Sequence, residues 1–238
     1  MCVIIYTSQP ELVTTKMLTA AWNANNHGGG YTFVRNKQWI TKKGFLKLGD
    51  YLASLKLDRV NSSSFVIHHF RIGTHGKINK AMTHPFDVNG NKLFHNGIIY
   101  GLGDSEISDT AHLAQMIAPM SLKDQVSMLG AFAESTDSKF ILTDIKTNTY
   151  YPIGHFVEIE DKVFASNSYF LPARIKSPGI GGDCKLDACG TGPQLTIADI
   201  DPEYIAKLSP EEKEVLLDDL EFYNWNGYGL GDGTDYEI

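Results

Sequence analysis

MCVIIY, residues 1–6, opens the chain and sets the terms for everything downstream. Val3 to Tyr6 are β-branched or aromatic and predict a short buried strand with Cys2 at its end. An initiator methionine is commonly removed when a small residue follows it, and Cys2 would then carry both a thiol and a free α-amine. A thiol is a weak nucleophile until it loses its proton. An α-amine, with an unperturbed pKa of about 7.7–8.0, can accept that proton near neutral pH. The packing alternative is a small buried hydrophobe at the start of a first strand, the commoner role of an isolated cysteine. Two downstream segments hold the groups that such a nucleophile needs.

The first is HHFRIGTHG, residues 68–76, at the end of a strand predicted over 64–70. An arginine, two glycines, a threonine and histidines make poor packing material, whereas a strand end leaves side chains and backbone N–H groups free for a site. The second is KLFHNGIIYG, residues 92–101. Asn96-Gly97 is the strongest short signal for a type I′ hairpin turn, but the flanking run is too apolar for an ordinary exposed tip, so turn and site both stand.

Between and around these segments the pattern mixes helices and strands. Ser8 and Glu11 read as a capping box, with Pro10 in the first turn and an apolar stripe from Leu12 to Ala24 at helical spacing. NNHGGG, residues 25–30, ends that helix in a loop. A hairpin around residues 35–37 and a second amphipathic helix from Phe45 to Leu55 follow. Ser108 or Asp109 caps a helix carrying Leu113, Met116 and Ile117, and another helix covers residues 123–133. From Lys139 to Phe170 four strand-like runs suggest an antiparallel meander. Helices grouped around antiparallel strands, without regular βαβ alternation, indicate an α+β fold. After Pro178 the glycine-rich GIGGDCKLDACGTGP reads as a loop, followed by an acidic helix over 201–224 and an irregular tail. The domain boundaries expected are therefore 1–178 and 179–238, the second an extension packed on the first.

The 238 residues, 42% of them hydrophobic, support a core without staples. Three cysteines argue against a disulfide framework and for a reducing, cytoplasmic compartment. Cys184 and Cys189 cannot close a zinc site and read as free thiols or partner contacts. No run approaches the roughly 18 apolar residues of a membrane helix. The net charge of −7 disfavours direct nucleic-acid binding. The lone His27, His112 and His155 read as surface or core residues.

MC at the start, RIGTHG at 71–76, HP at 84–85, HNG at 95–97 and SDT at 108–110 together resemble the class II glutamine amidotransferases. FASNSYF at 164–170 is similar to the family's late strand, so the resemblance spans about residues 2–172. It implies a four-layer αββα sandwich of the N-terminal nucleophile hydrolase type, with glutamine as substrate and no cofactor or metal. Cys2 would be the nucleophile, Asn96 and Gly97 the oxyanion donors, and Arg71, Thr74, His75 and Asp109 the pocket for the amino-acid end of glutamine. These roles agree with the chemistry of the residue types. A thiolate forms a γ-glutamyl thioester, fixed donors meet the developing oxyanion, and a guanidinium fork and a carboxylate suit the substrate's carboxylate and ammonium. Ile72-Gly73 stands where the family more usually has Trp-Ala, implying glutamine turnover that is slow or dependent on a partner. The 60 residues after Pro178 are too few for a synthetase domain, so the released ammonia is expected to pass to a separate acceptor synthetase or transferase.

Three rivals are kept open. A stand-alone amidohydrolase of γ-glutamyl amides would use the same machinery and need no partner. His68, His69, His75, His84 and His95 could instead be ligands of a metal hydrolase, although that leaves Cys2 and Arg71 unexplained. A catalytically silent glutamine- or partner-binding module is the third, and the presence of Cys2 argues against it.

Overall fold

The computed structural model describes residues 1–171 and 200–213. By its contacts the chain divides between Ile175 and Lys176 into two compact units. The first is α+β, and its described residues form two antiparallel sheets and four α-helices.

The six-stranded sheet contains β1 (Val3–Thr7), β2 (Gly29–Arg35), β3 (Gln38–Phe45), β4 (Phe65–Phe70), β9 (Val157–Glu160) and β10 (Val163–Ala165), in the order β3-β2-β4-β1-β10-β9. The four-stranded sheet contains β5 (Phe86–Val88), β6 (Asn91–Asn96), β7 (Lys139–Asp144) and β8 (Thr149–Ile153), in that order. The helices are α1 (Thr15–Ala24), α2 (Leu48–Leu57), α3 (Asp109–Ile117) and α4 (Leu122–Thr136).

β1, β4 and β7 are buried at every position, so their apolar runs show no period-2 alternation. Alternate side chains pack to opposite sides. On one side, Ile4, Tyr6, Phe65 and Ile67 meet Phe94 and Ile141 of the second sheet and form an inter-sheet core. On the other side of the six-stranded sheet, Trp22 of α1 and Tyr51 of α2 pack on Phe70, and Tyr51 also packs on Tyr31. A second core joins Leu93, Phe140 and Leu142 of the four-stranded sheet to Leu113 and Ile117 of α3 and Leu129 of α4. Each such side chain contributes about 1.5–3 kcal/mol by leaving water.

Several local expectations change. The helix expected from Ser8 begins later: Pro10–Leu12 is a single 3-10 turn, and α1 is capped by Thr14 Oγ1, which accepts from Met17 N at 3.2 Å. Asn96-Gly97 is not a hairpin turn, since Asn96 ends β6 while the chain runs on through residues 97–108 to α3. The hairpin at 35–37 is confirmed, with Asn36 and Lys37 both at positive φ as a type I′ turn requires. The expected meander is split: β7 and β8 pair in one sheet, and β9 and β10 in the other.

In the second unit, the helix expected at 201–224 is interrupted. A helix at Pro202–Ala206, α5, is followed by Ser209, which exchanges capping hydrogen bonds with Glu212 at 2.8 and 3.2 Å. Cys184, Cys189, the glycine-rich stretch and the tail beyond residue 213 lie outside the described residues. Among the described residues no helix is long and apolar enough to cross a membrane.

Candidate active site

The topology brings distant strand ends to one place. β1 and β4 are antiparallel, with Val3 opposite Phe70, so the residue before β1 lies beside the residues after β4. Cys2 Sγ accordingly donates to Ile72 O at 3.5 Å. β10 pairs on the other edge of β1, with Ile5 opposite Ala165, and delivers Ser166 and Asn167 to the same end. Ser166 Oγ accepts from Ile4 N at 2.9 Å, and Asn167 Nδ2 donates to Cys2 O at 2.8 Å. From the other sheet, the end of β6 arrives with Asn96 and Gly97. Asn96 Nδ2 donates to Ser166 Oγ at 2.9 Å, a bridge between the sheets.

A cleft with about 270 Å³ of empty space, open solvent at its mouth included, lies among these ends. Cys2, Arg71, Thr74, His75, Gly97 and Asp109 all line it. Asn96 does not: its side chain is engaged with Ser166, and its Oδ1 is buried without a partner among the described residues.

Cys2 is half-buried, and burial pushes its thiol above the ordinary value; a backbone hydrogen bond at Ile72 and the nearby positive charge of the chain terminus and Arg71 oppose that rise only in part. Met1 is 57% exposed, so the residue joined to Cys2 is presented to solvent. While it stays attached, the Cys2 nitrogen is a peptide amide and cannot act as a base. The position of Gly97 requires glycine. A Cβ there would run into the Ser138 side chain and lie 2.8 Å from His95 Nε2.

Arg71 is only 2% exposed. Its guanidinium donates to the carbonyls of His75 (2.7 Å), Lys77 (3.1 Å) and Gly76 (3.4 Å), so it shapes the loop after β4. Gly76, at φ +73°, could not carry a side chain, because a Cβ would lie 2.7 Å from Ser108 N. Asp109 opens α3 and is 5% exposed. Its Oδ2 accepts from Ile99 N at 2.9 Å and its Oδ1 from Thr110 N at 2.8 Å. Thr74 is exposed at the rim, and His75 Nδ1 is buried without a partner among the described residues.

His84 and His95 also line the cleft and belong with His69 to a buried histidine cluster. His69 and His84 stack with centroids 3.7 Å apart, and His95 stacks on Phe140. His95 Nδ1 pairs with Thr110 Oγ1 at 2.8 Å and its Nε2 with Ser138 Oγ at 3.1 Å. Burial lowers His69 to about 3 and His95 to about 4, and takes His84 well below its ordinary value, so all three rings are neutral near pH 7. Among the described residues no group of three or more His, Cys, Asp or Glu is arranged to hold a metal ion.

Residues given no role from the sequence also build the site. Ser166 and Asn167 fix β1 and Asn96; they fell within FASNSYF, which the resemblance matched as a strand without giving either residue a role. Ser138 and Thr110 hold His95. His27 and His112, read as surface or core residues, accept backbone N–H bonds from Gly73 (2.9 Å) and Gly103 (3.0 Å) and so brace the loops flanking the cleft. No protein-family model matches the chain, and no curated protein matches it.

Proposed function

We propose that this protein is a glutaminase of the class II amidotransferase type, an N-terminal nucleophile hydrolase whose cysteine is exposed by removal of Met1. The observation that carries the reading is the cleft itself: six residues nominated from separate stretches, Cys2, Arg71, Thr74, His75, Gly97 and Asp109, line one space. The packing of α1 and α2 on one sheet, of the sheets on each other, and of α3 and α4 on the far side supports a four-layer αββα order.

In this mechanism the freed α-amine takes the Cys2 thiol proton, and the thiolate attacks the side-chain amide carbon of glutamine. The Gly97 N–H and the Asn96 amide stabilise the oxyanion, the latter after leaving Ser166. The amine then protonates departing ammonia, leaving a γ-glutamyl thioester that water hydrolyses. Arg71 and Asp109 receive the substrate's carboxylate and ammonium. Both groups already hold backbone partners in this structure, which supports an adjustment of the loops at 72–78 and 98–108 on substrate or partner binding. Ammonia passes to a separate acceptor enzyme.

The test is intact-protein mass spectrometry before and after incubation with a diazo-ketone analogue of glutamine. Loss of one methionine and a single adduct on Cys2, blocked by excess glutamine, is the expected result. Retained Met1 with an unlabelled Cys2 would overturn the assignment.

A further inference from the structure

His84 lines the same cleft as Cys2 and Gly97, yet nothing in the mechanism above uses it. It is 3% exposed, and neither of its ring nitrogens has a hydrogen-bond partner among the described residues. Its orientation is fixed by rings instead: the stack on His69, and an edge contact with Phe86 at 4.8 Å and 77°. A buried imidazole with both nitrogens unpaired is costly, and buried polar groups of this kind are normally satisfied by ordered water or ligand. Its depressed pKa keeps it neutral, with one N–H donor and one lone-pair acceptor. The two nitrogens point away from each other, so a water molecule pairs with one of them, accepting from the N–H or donating to the lone pair.

We propose that His84 holds the water that hydrolyses the Cys2 thioester. The inference rests on the glutaminase reading and deepens it. The oxygen of this water attacks the γ-glutamyl carbon, the C–S bond breaks as the tetrahedral intermediate collapses, and glutamate leaves. The water's proton passes to the Cys2 α-amine and from there to the departing thiolate. His84 is a positioning residue in this step: it orients the water and takes no net proton.

The experiment uses processed protein with glutamine and three readouts: glutamate release, γ-glutamyl hydroxamate formed with added hydroxylamine, and the mass of the acyl-enzyme after acid quench. His84→Phe keeps the ring packing and removes both nitrogens. It is expected to lower glutamate release roughly ten- to hundredfold, as misplacing a reactant does. Thioester should accumulate, and hydroxamate formation should persist because hydroxylamine needs no held water. His84→Asn, with a donor and an acceptor, should retain most hydrolysis. Unchanged glutamate release in His84→Phe overturns the inference alone. Equal loss of hydroxamate and adduct formation with a raised KM also overturns it, because His84 would then contact substrate. A wild type that never acylates on Cys2 removes the glutaminase reading and this inference with it. Should His84→Phe not fold, a crystal structure of the wild type decides: an ordered water on a His84 nitrogen is expected, and a dry ring overturns the proposal.

Discussion

Asn96 Nδ2 lies 2.9 Å from Ser166 Oγ, and that hydroxyl also accepts from Ile4 N, so one side chain ties the end of β6 to β1 and the end of β10. Ser166→Ala removes the acceptor from two buried donors without adding volume. Leaving buried donors unpaired costs about 1–3 kcal/mol. Urea denaturation should show a loss of that size with an unchanged slope, and glutamine turnover should fall because Asn96 loses its anchor. An unchanged midpoint would show that water replaces the hydroxyl.

Gly97→Ala tests the close approach at the proposed oxyanion position. The new methyl meets Ser138 and the His95 ring, and overpacking of this kind costs about 1–3 kcal/mol. Displacing one oxyanion donor should cost roughly a hundredfold or more in kcat. Differential scanning calorimetry and steady-state kinetics measure the two effects separately. A fully active variant would place the oxyanion elsewhere.

The Cys2 thiol gives a pH signature that depends on processing. With Met1 retained, burial holds the thiol above its ordinary value of about 8.5, so its thiolate is scarce at neutral pH. Iodoacetamide should label that form slowly at pH 7, and the rate should still be rising past pH 9. Once Met1 is removed, the α-amine should raise the rate between pH 7 and 8. A plateau near pH 7 in the unprocessed form would contradict the buried-thiol geometry.

Acid should destabilise the fold earlier than its carboxylates alone would. His68 and His69 titrate at about 3 and His95 at about 4 when folded, chiefly because burial disfavours the charged ring, against about 6.5 when unfolded. The unfolded chain therefore binds more protons below pH 6.5, and stability falls as pH drops from 6.5 toward 4. Each imidazole contributes at most about 1.4 kcal/mol per pH unit in that window. Melting temperatures taken from pH 7.5 to 4.5 should show the decline. A flat profile would mean that these rings are solvated.

Most strands of the first unit were legible because β-branched and aromatic runs with turn residues between them leave few alternatives; β5 and β6, short and next to the Asn96-Gly97 turn signal, were not. Sheet membership was not legible either. β8 and β9 are consecutive and separated by a short turn, yet they join different sheets, a choice made by long-range packing that no local pattern records. Asn96-Gly97 misled in the opposite way: its local signal is a hairpin turn, and the pairing of β6 with both β5 and β7 overrides it. The capping box at Ser8 failed for a local reason. Gln9 N bonds to Thr7 Oγ1 and the chain turns through a 3-10 step, so the helix waits for Thr14.

The site residues themselves were more legible than their contacts. Arg71 stood out because a strand end rich in polar residues is poor core material, Cys2 because a thiol beside a freed α-amine is a self-contained nucleophile and base, and Gly97 and Asp109 through the resemblance alone. That Arg71 spends its donors on the loop at 75–77, and that Asn96 faces Ser166 rather than the cleft, depends on distances that spacing along a chain does not encode.

The bond from Ile4 N to Ser166 Oγ spans 162 residues of sequence. It therefore has a consequence for biosynthesis. β1 leaves the ribosome well before β10, and its second edge stays unfilled until β10 follows it, so β1 is among the last strands to be completed. Pairings this remote make folding slow, and an apolar edge open for that long invites pairing with another nascent chain. Cys2 can be framed on both sides only after Asn167 has been synthesised, which ties the setting of its thiol to the near-completion of the first unit.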